Sequence, residues 1–369
     1  MEAAKVINTK GNNIKDLNIK KDPSVTIGIP VLNEEEHIER VISGFLNSDY
    51  SNLLEIFVAD GGSSDRTTEI VKNISKKDPR VQLLENPEKF QSFALNKMIN
   101  AANGEIFLRA DAHCEYGKDY IEKCVFNLHR DGVKNTGGAA RFLATNLVQA
   151  GTAISVFSLL GNGGAKHYNP EYEGYSDTVP MGCFYTSDLK KLNGFTESNH
   201  TNEDSEINYR LRKNLDGKIY ISPEIILQYY PRKSFTGLFK QYFKYGRGRY
   251  LTGSMHKGKI PFRSKAPFLF TGTMILLLLI DNLILPNVLG SFYILSACLL
   301  LLFFEAMRLA FAKRDYFCKA VWKSETKKPP MAAFVGLYSF VILIIMHFAH
   351  FSGYGYQMLR MKVFGKNGW

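Results

Sequence analysis

The chain has 369 residues, 45% of them hydrophobic, and a formal net charge of +11. A chain of this length allows two or three structural units. Its charge is not spread evenly: ten Lys/Arg and no acid lie between Pro231 and Ala266, leaving 36 basic against 35 acidic residues elsewhere. A basic belt directly before an apolar run argues against nucleic acid as a partner and for a membrane surface or anionic phosphates.

Five cysteines stand at 114, 124, 183, 298 and 318, with no CxxC pair. That spacing and the odd count argue against a disulfide framework or a zinc site and for a reducing compartment. Residues 1–23 read as a polar leader without a signal peptide's apolar core, so the globular part is expected in the cytosol.

From Ser24 onward strand and helix alternate. Val25 to Ile29 predicts a strand ended by Pro30. Ile38, Val41, Ile42, Phe45 and Leu46 recur at helical spacing. Ile56 to Ala59 predicts a second strand, stopping at Asp60 and followed by "GGSSDRT". Ile70, Val71 and Ile74 mark a helix, Val81 to Leu84 a strand, and Phe90, Ala94, Leu95 and Met98 another helix. Ile106 to Leu108 leads into Asp111-Ala-His113. This alternation predicts an α/β unit over 24–230 with a Rossmann-like, mostly parallel sheet.

In such sheets ligands bind beyond the carboxyl ends of the strands. Polar clusters fall at three of those ends: "PVLNEE" with Pro30 and Glu34, then Asp60, then Asp111 and His113. Asp60 is free to accept from a ring N–H of a base if Ser64 or Asp65 caps the next helix. Asp111 with His113 suits Mg²⁺ or Mn²⁺, which take a carboxylate, diphosphate oxygens and water.

In "HTNEDSEINYRLR" (200–212), Ile207 and Leu211 predict a helix that Asn202 caps, with Glu203 and Asp204 in its first turn. Either acid suits a general base. Neighbours on a helix point about 100° apart, so only one is expected to face the ligand. Residues 231–265 predict an amphipathic interface segment. Within it the glycines of "YGRGR" suggest a bend that lets Arg247 or Arg249 reach a diphosphate.

Ala266 to Phe304 carries one charge, Asp281, over 39 residues, enough for two passes with a turn near Asp281 to Asn287. A third apolar segment, 329–350, precedes a basic tail expected at 351–369. Residues 308–328 hold seven Lys/Arg, so belt and loop are both expected on the cytosolic side. A third crossing would carry Arg360, Lys362 and Lys366 across, so interfacial or re-entrant placement of 329–350 stays open beside spanning.

The stretches "IPVLNEE", "VADGGSSDRT", "RADAHCEY", "GCFYTSDLKKLNGF", "NEDSEINYRL" and "YGRGR" together resemble family 2 glycosyltransferases of GT-A fold. Within them the likeness is to the membrane-anchored type that builds bacterial exopolysaccharide, as in succinoglycan assembly, and covers roughly residues 24–250. The resemblance implies that Pro30 and Glu34 belong to a nucleotide pocket and that Asp60 reads the base. It implies that Asp111 is the first acid of a DxD-type metal motif, with His113 in place of the second. It makes Asp204 the catalytic base and Gln241 part of a Q-x-x-R-W region whose tryptophan is missing, which favours transfer of a single sugar.

The expected activity is therefore inverting transfer from a nucleotide sugar, UDP-linked, to a polyprenyl-diphosphate-linked acceptor. Its setting is a multi-pass protein of the cell membrane with its catalytic part in the cytosol. The alternatives are transfer to polyprenyl phosphate itself and an inactive membrane scaffold.

Overall fold

The computed structural model describes residues 22–284, 288–366 and 368–369. The expected leader falls almost wholly outside the described residues, as do Pro286 and Asn287 of the expected turn. The first half comprises β1 (Val25–Val31), α1 (Ile38–Leu46), β2 (Leu53–Asp60), α2 (Thr67–Lys77), β3 (Val81–Glu85) and α3 (Gln91–Ala101). β4 (Ile106–Arg109), β5 (Cys114–Tyr116), α4 (Tyr120–Leu128), β6 (Val133–Gly137) and β7 (Ala140–Phe142) follow. Next come α5 (Leu147–Ser155), α6 (Leu159–Asn162), β8 (Gly174–Ser176), β9 (Cys183–Tyr185) and α7 (Thr186–Lys191). α8 (Glu203–Asn214), β10 (Lys218–Ile221) and β11 (Leu227–Tyr229) close the α/β part.

Eight strands form one sheet in the order β3-β2-β1-β4-β9-β6-β10-β8. β3, β2, β1 and β4 run parallel, as do β6 and β10, while β9 and β8 are antiparallel to their neighbours. The spacing in α1 buries Ile38, Val41, Ile42 and Phe45 against one face of this sheet. α3 covers the other with Ala94, Leu95 and Met98. The first strand does not stop at Pro30 but runs to Val31. β4 pairs with β1 only from Val25 to Gly28, so the missing N–H of Pro30 interrupts no ladder bond to β4. A smaller sheet, β5-β11-β7, lies at the end of the parallel strands.

α9 (Phe235–Met255) is one unbroken helix, capped by Ser234, whose Oγ accepts from Gly237 N at 3.1 Å. The expected bend at "YGRGR" is absent. Its glycines serve close packing instead. A Cβ on Gly246 would collide with the His350 carbonyl, and one on Gly248 with Thr201.

α10 (Ala266–Leu283) and α11 (Ser291–Ala312) are long and apolar enough to cross a membrane. Asp281, the lone acid of this run, accepts from Leu289 N (2.6 Å) and Ser291 N (2.7 Å). It therefore satisfies backbone donors at the start of α11 that an apolar surrounding leaves unpaired. Both ends of the hairpin sit on the α/β part. Arg263, just before α10, pairs with Asp177 at 2.5 Å. After α11 come the short α12 (Arg314–Tyr316) and then Phe317 and Val321, which pack against Ala144, Ala150 and Ile154.

α13 (Ala332–Lys362) is a single helix, so the tail expected from 351 begins instead after Lys362. By length and composition it too qualifies as a span. Its buried face carries Gly336, Ile342, Leu343, Met346 and Gly353, and it packs along α5 and α9. Phe334, Phe348 and Leu359 are exposed. Its start is tied to α12 and its end returns to the α/β part. Arg314 donates to the Pro330 carbonyl before the helix, and the Trp369 ring after it lies 5.4 Å from that of His200.

A Cβ on Gly353 would strike the Phe243 carbonyl of α9, whereas one on Gly44 in α1 meets open space. Gly353→Ala and Gly246→Ala should each cost about 1–3 kcal/mol, the usual penalty of overpacking. Gly44→Ala should be neutral or slightly stabilising. Melting curves of the three variants in one detergent check this.

Candidate active site

A cavity of about 660 Å³ opens beyond the carboxyl ends of β4 and β11. One wall comes from α9, through Gln241, Lys244, Tyr245 and Arg249.

Arg109 is the last residue of β4 and only 3% exposed. Its guanidinium reaches three carboxylates: Asp204 Oδ1 at 2.5 Å, Glu203 Oε1 at 3.3 Å and Asp111 Oδ1 at 3.5 Å. A buried guanidinium needs such partners, because an unpaired charge there costs several kcal/mol. Asp111 is held at its backbone by Tyr116. That hydroxyl accepts from Asp111 N (2.7 Å) and donates to its carbonyl (3.0 Å). Gln91 Nε2 donates to Asp111 Oδ1 at 3.0 Å, and Oδ2 has no hydrogen-bond partner among the described residues.

Asn202 precedes α8 in the left-handed region (φ +70°) and does not cap it as expected. Its Nδ2 donates instead to Thr252 Oγ1 of α9 at 2.7 Å. Glu203 and Asp204 both face the cavity, contrary to the expectation that only one does. The fork of Arg109 presents a separate nitrogen to each, so two carboxylates about 100° apart are gathered on one cation. Asp204 Oδ2 also accepts from Met181 N at 3.2 Å.

At the tip of β1, the Glu34 carboxylate accepts from His113 Nδ1 at 3.1 Å. Pro30 lies half-buried in the strand behind it. Asp60 is not free, as the sequence suggested. Its Oδ2 accepts from Gly62 N and Ser63 N, both at 3.0 Å, so it orders the "GGSS" turn. Asp65 does cap locally, accepting from Thr67 N at 3.0 Å, yet the turn before it still takes up Asp60. Gln241 Nε2 donates to the hydroxyls of Tyr245 (3.0 Å) and Tyr229 (3.2 Å). Arg249 lines the cavity and donates to Ser205 Oγ at 3.1 Å. Arg247 does not line it, because without a bend successive arginines leave α9 on different sides. Its Nε donates to Gln357 at 2.9 Å and its guanidinium lies 4.0 Å from the Trp369 ring.

Burial raises the Asp204 carboxyl to about 7, and Glu203 and Asp111 add to the rise. Arg109 and the Met181 N–H oppose it without cancelling it. Burial alone would lower Arg109, but its three carboxylates outweigh it and the shift is upward. Burial would likewise lower His113; the hydrogen bond to Glu34 and the Asp111 charge reverse the sign.

Among the described residues no group of three His, Cys, Asp or Glu is arranged to hold a metal. The cavity does contain Asp111 and His113. This donor set fits a hydrated hard cation whose remaining positions are filled by substrate oxygens and water, not an all-protein cage.

Residues 26–169 match the model of glycosyl transferase family 2. The chain is 35% identical over 246 residues to the succinoglycan biosynthesis protein ExoA of Rhizobium meliloti (strain 1021), covering 66% of this chain and 74% of that protein. The chain belongs to glycosyl transferase family 2. It is also 28% identical, over 71% of its length and 83% of the relative's, to an enzyme of Methanococcus voltae. That relative is a dolichyl N-acetyl-alpha-D-glucosaminyl phosphate 3-beta-D-2,3-diacetamido-2,3-dideoxy-beta-D-glucuronosyltransferase. Among solved structures it superposes on the mannosyltransferase PcManGT of Pyrobaculum calidifontis, in complex with GDP-Man and Mn²⁺, with a TM-score of 0.53 and 16% identity. That overlay covers 92% of this chain and 88% of the other. Identity that low shows the fold alone, and the fold is GT-A.

The residue of this glycosyltransferase that sequence reasoning passed over is Arg109. A signal for it was present. An arginine closing the apolar run Ile106-Phe-Leu is rare in a core unless acids meet it.

Arg109→Gln removes the charge that opposes the upward shift of Asp204. The folded-state pKa of that carboxyl then lies further above its unfolded value. Stability from such groups is present at acidic pH and lost as pH rises through the folded pKa. The variant should melt close to wild type near pH 5 and fall progressively behind up to pH 8. Differential scanning fluorimetry across that range tests it.

Proposed function

We propose that this glycosyltransferase moves a single sugar, with inversion, from a UDP-linked donor to a polyprenyl-diphosphate-linked saccharide at the cytosolic face of the cell membrane. The observation that carries this reading is Asp204, a cavity carboxylate poised near 7 and steered by a buried arginine. A base with that pKa is half-charged near neutral pH, which suits taking a proton from a sugar hydroxyl.

In the proposed step Asp204 accepts the acceptor hydroxyl's proton. The freed oxygen bonds to the anomeric carbon from the face opposite the donor's diphosphate. The anomeric C–O bond breaks and its electron pair leaves with UDP. Arg109 holds Asp204 in line and prevents the three acids from repelling one another apart. Asp111 and His113 would hold a divalent cation, Mg²⁺ or Mn²⁺, which would supply positive charge beside the donor's diphosphate. Asp60 acts through the turn it orders at the edge of the base pocket, and Glu34 positions His113.

Lipid linkage of the acceptor is supported by the name of the Methanococcus relative, which acts on a sugar already carried by a lipid phosphate. It is supported too by α10 and α11, which tether the cavity to a bilayer as a hairpin. α13 would lie along the domain in the interface with its apolar side toward lipid.

Asp204→Asn keeps the shape but cannot take a proton. Turnover with a nucleotide sugar should fall by roughly 10² to 10⁴ while UDP affinity in Mn²⁺ hardly moves. Wild-type turnover should rise with pH through about 7, and that limb should be missing from the residual activity of the variant. Near-normal turnover in Asp204→Asn together with a dead Glu203→Gln would transfer the role to Glu203.

Asp111→Asn addresses the cation. It should weaken UDP binding strongly in Mn²⁺ and little without metal, as read by calorimetry. Equal affinity for both proteins in Mn²⁺ would remove Asp111 from the metal site.

A further inference from the structure

A second cavity, of about 360 Å³, lies between α6, α9, α10, α11 and α13. It shares His167, Tyr168, Tyr245 and Arg249 with the first, so the two have a common wall. Its two ends differ in chemistry. One is apolar, built from Leu160, Phe270, Leu301, Leu302 and Met346. Phe270 and Leu301 there are 48% and 58% exposed on the two candidate spans, so this end opens at bilayer level.

The other end is basic. Arg249 and Arg263 line it with His167 and His350. The acid that reaches this group is Asp177, which already pairs with Arg263. His167 and His350 are 8% and 7% exposed, and their Nδ1 atoms have no hydrogen-bond partner among the described residues. A buried polar atom without a partner costs free energy, so its persistence calls for an explanation such as an absent ligand. Arg249 spends one nitrogen on Ser205, leaving most of its donors unused.

We infer that this cavity binds an apolar-chain diphosphate, with Arg249, His167 and His350 on the phosphates and the chain lying between α10 and α11. The identification rests on the lipid-linked acceptor proposed above, and it gives that acceptor a direction. The chain enters from the bilayer, the diphosphate stops at the shared wall, and the attached sugar passes Tyr168 and Tyr245 into the first cavity toward Asp204. Basic groups at the end of an apolar slot select for both parts of such a molecule. A soluble diphosphate lacks the chain and an isoprenoid alcohol lacks the charge.

The test uses the full chain in detergent micelles and farnesyl diphosphate carrying a diazirine at its apolar end. Photolysis should label peptides containing 159–163 or 298–302. Unlabelled farnesyl diphosphate should compete at least tenfold better than farnesol, inorganic diphosphate or dioleoyl phosphatidate. His350→Leu removes one donor and Cys298→Trp fills the slot. Each should weaken competition by roughly tenfold, the worth of about one charge-assisted hydrogen bond, with UDP binding in Mn²⁺ retained as the check on folding. Labelling elsewhere, equal competition by phosphatidate, or unaltered competition in both folded variants overturns the site. The unaltered protein decides alone if a variant fails to bind UDP. Sugar transfer without labelling at these residues sinks the site and spares the transferase reading. Labelling there, with transfer only to water-soluble saccharides, keeps the site and overturns the acceptor reading.

Discussion

Everything in the active-site region turns on one buried cation. Arg109 ends a core strand at a point where water cannot solvate it, and it is stable there only because Asp111, Glu203 and Asp204 surround it. The contact with Asp204 spans 95 positions of sequence. It joins the tip of β4 to the first turn of α8, so the strand that presents Asp111 and the helix that presents Asp204 cannot be placed independently. One positive charge against three negative ones also leaves the cluster short of balance. The shortfall, added to burial, is what lifts Asp204 toward neutrality.

The same cluster couples the α/β part to the helices that follow it. Asn202, one residue before Glu203, is tied to Thr252 of α9. α9 in turn lies against α13 at a contact that tolerates only glycine on both sides, Gly246 and Gly353. A helix pair that close leaves little freedom for sliding, since interiors at this density transmit displacement. The α/β part therefore supplies most of the cavity lining and α9 supplies one wall. A truncated α/β unit would lack Gln241, Tyr245 and Arg249 from its wall.

The apolar helices show how a lone carboxylate is accommodated in an apolar run. Asp281 is the lone charge in its run and accepts two backbone N–H groups at the start of α11. Helix ends in an apolar medium must find partners within the protein, and a single carboxylate in the turn does this for the hairpin. His167 and His350 differ, because each keeps a ring nitrogen without a partner among the described residues beside the second cavity.

The sequence by itself determined the elements and which of their ends carry the acids of the candidate site. Over residues 25–108 the 3.6-residue period gives the apolar face of each helix and short continuous apolar runs give strands buried on both faces, because both are local properties of the pattern. Acids at strand tips could be read from position alone, and so could the charge step into two apolar helices. What tertiary structure decided were matters of partnership. Asp60 looked free until the "GGSS" turn folded onto it, since a cap is chosen by geometry and not by proximity in sequence. Glu203 and Asp204 looked mutually exclusive until a forked cation from another strand met both. The glycines of α9 looked like a bend until α13 packed against Gly246 and Thr201 against Gly248, and Arg247 then turned to Gln357 and Trp369. Each of these outcomes depends on a group distant in sequence, and no local period encodes which distant group arrives.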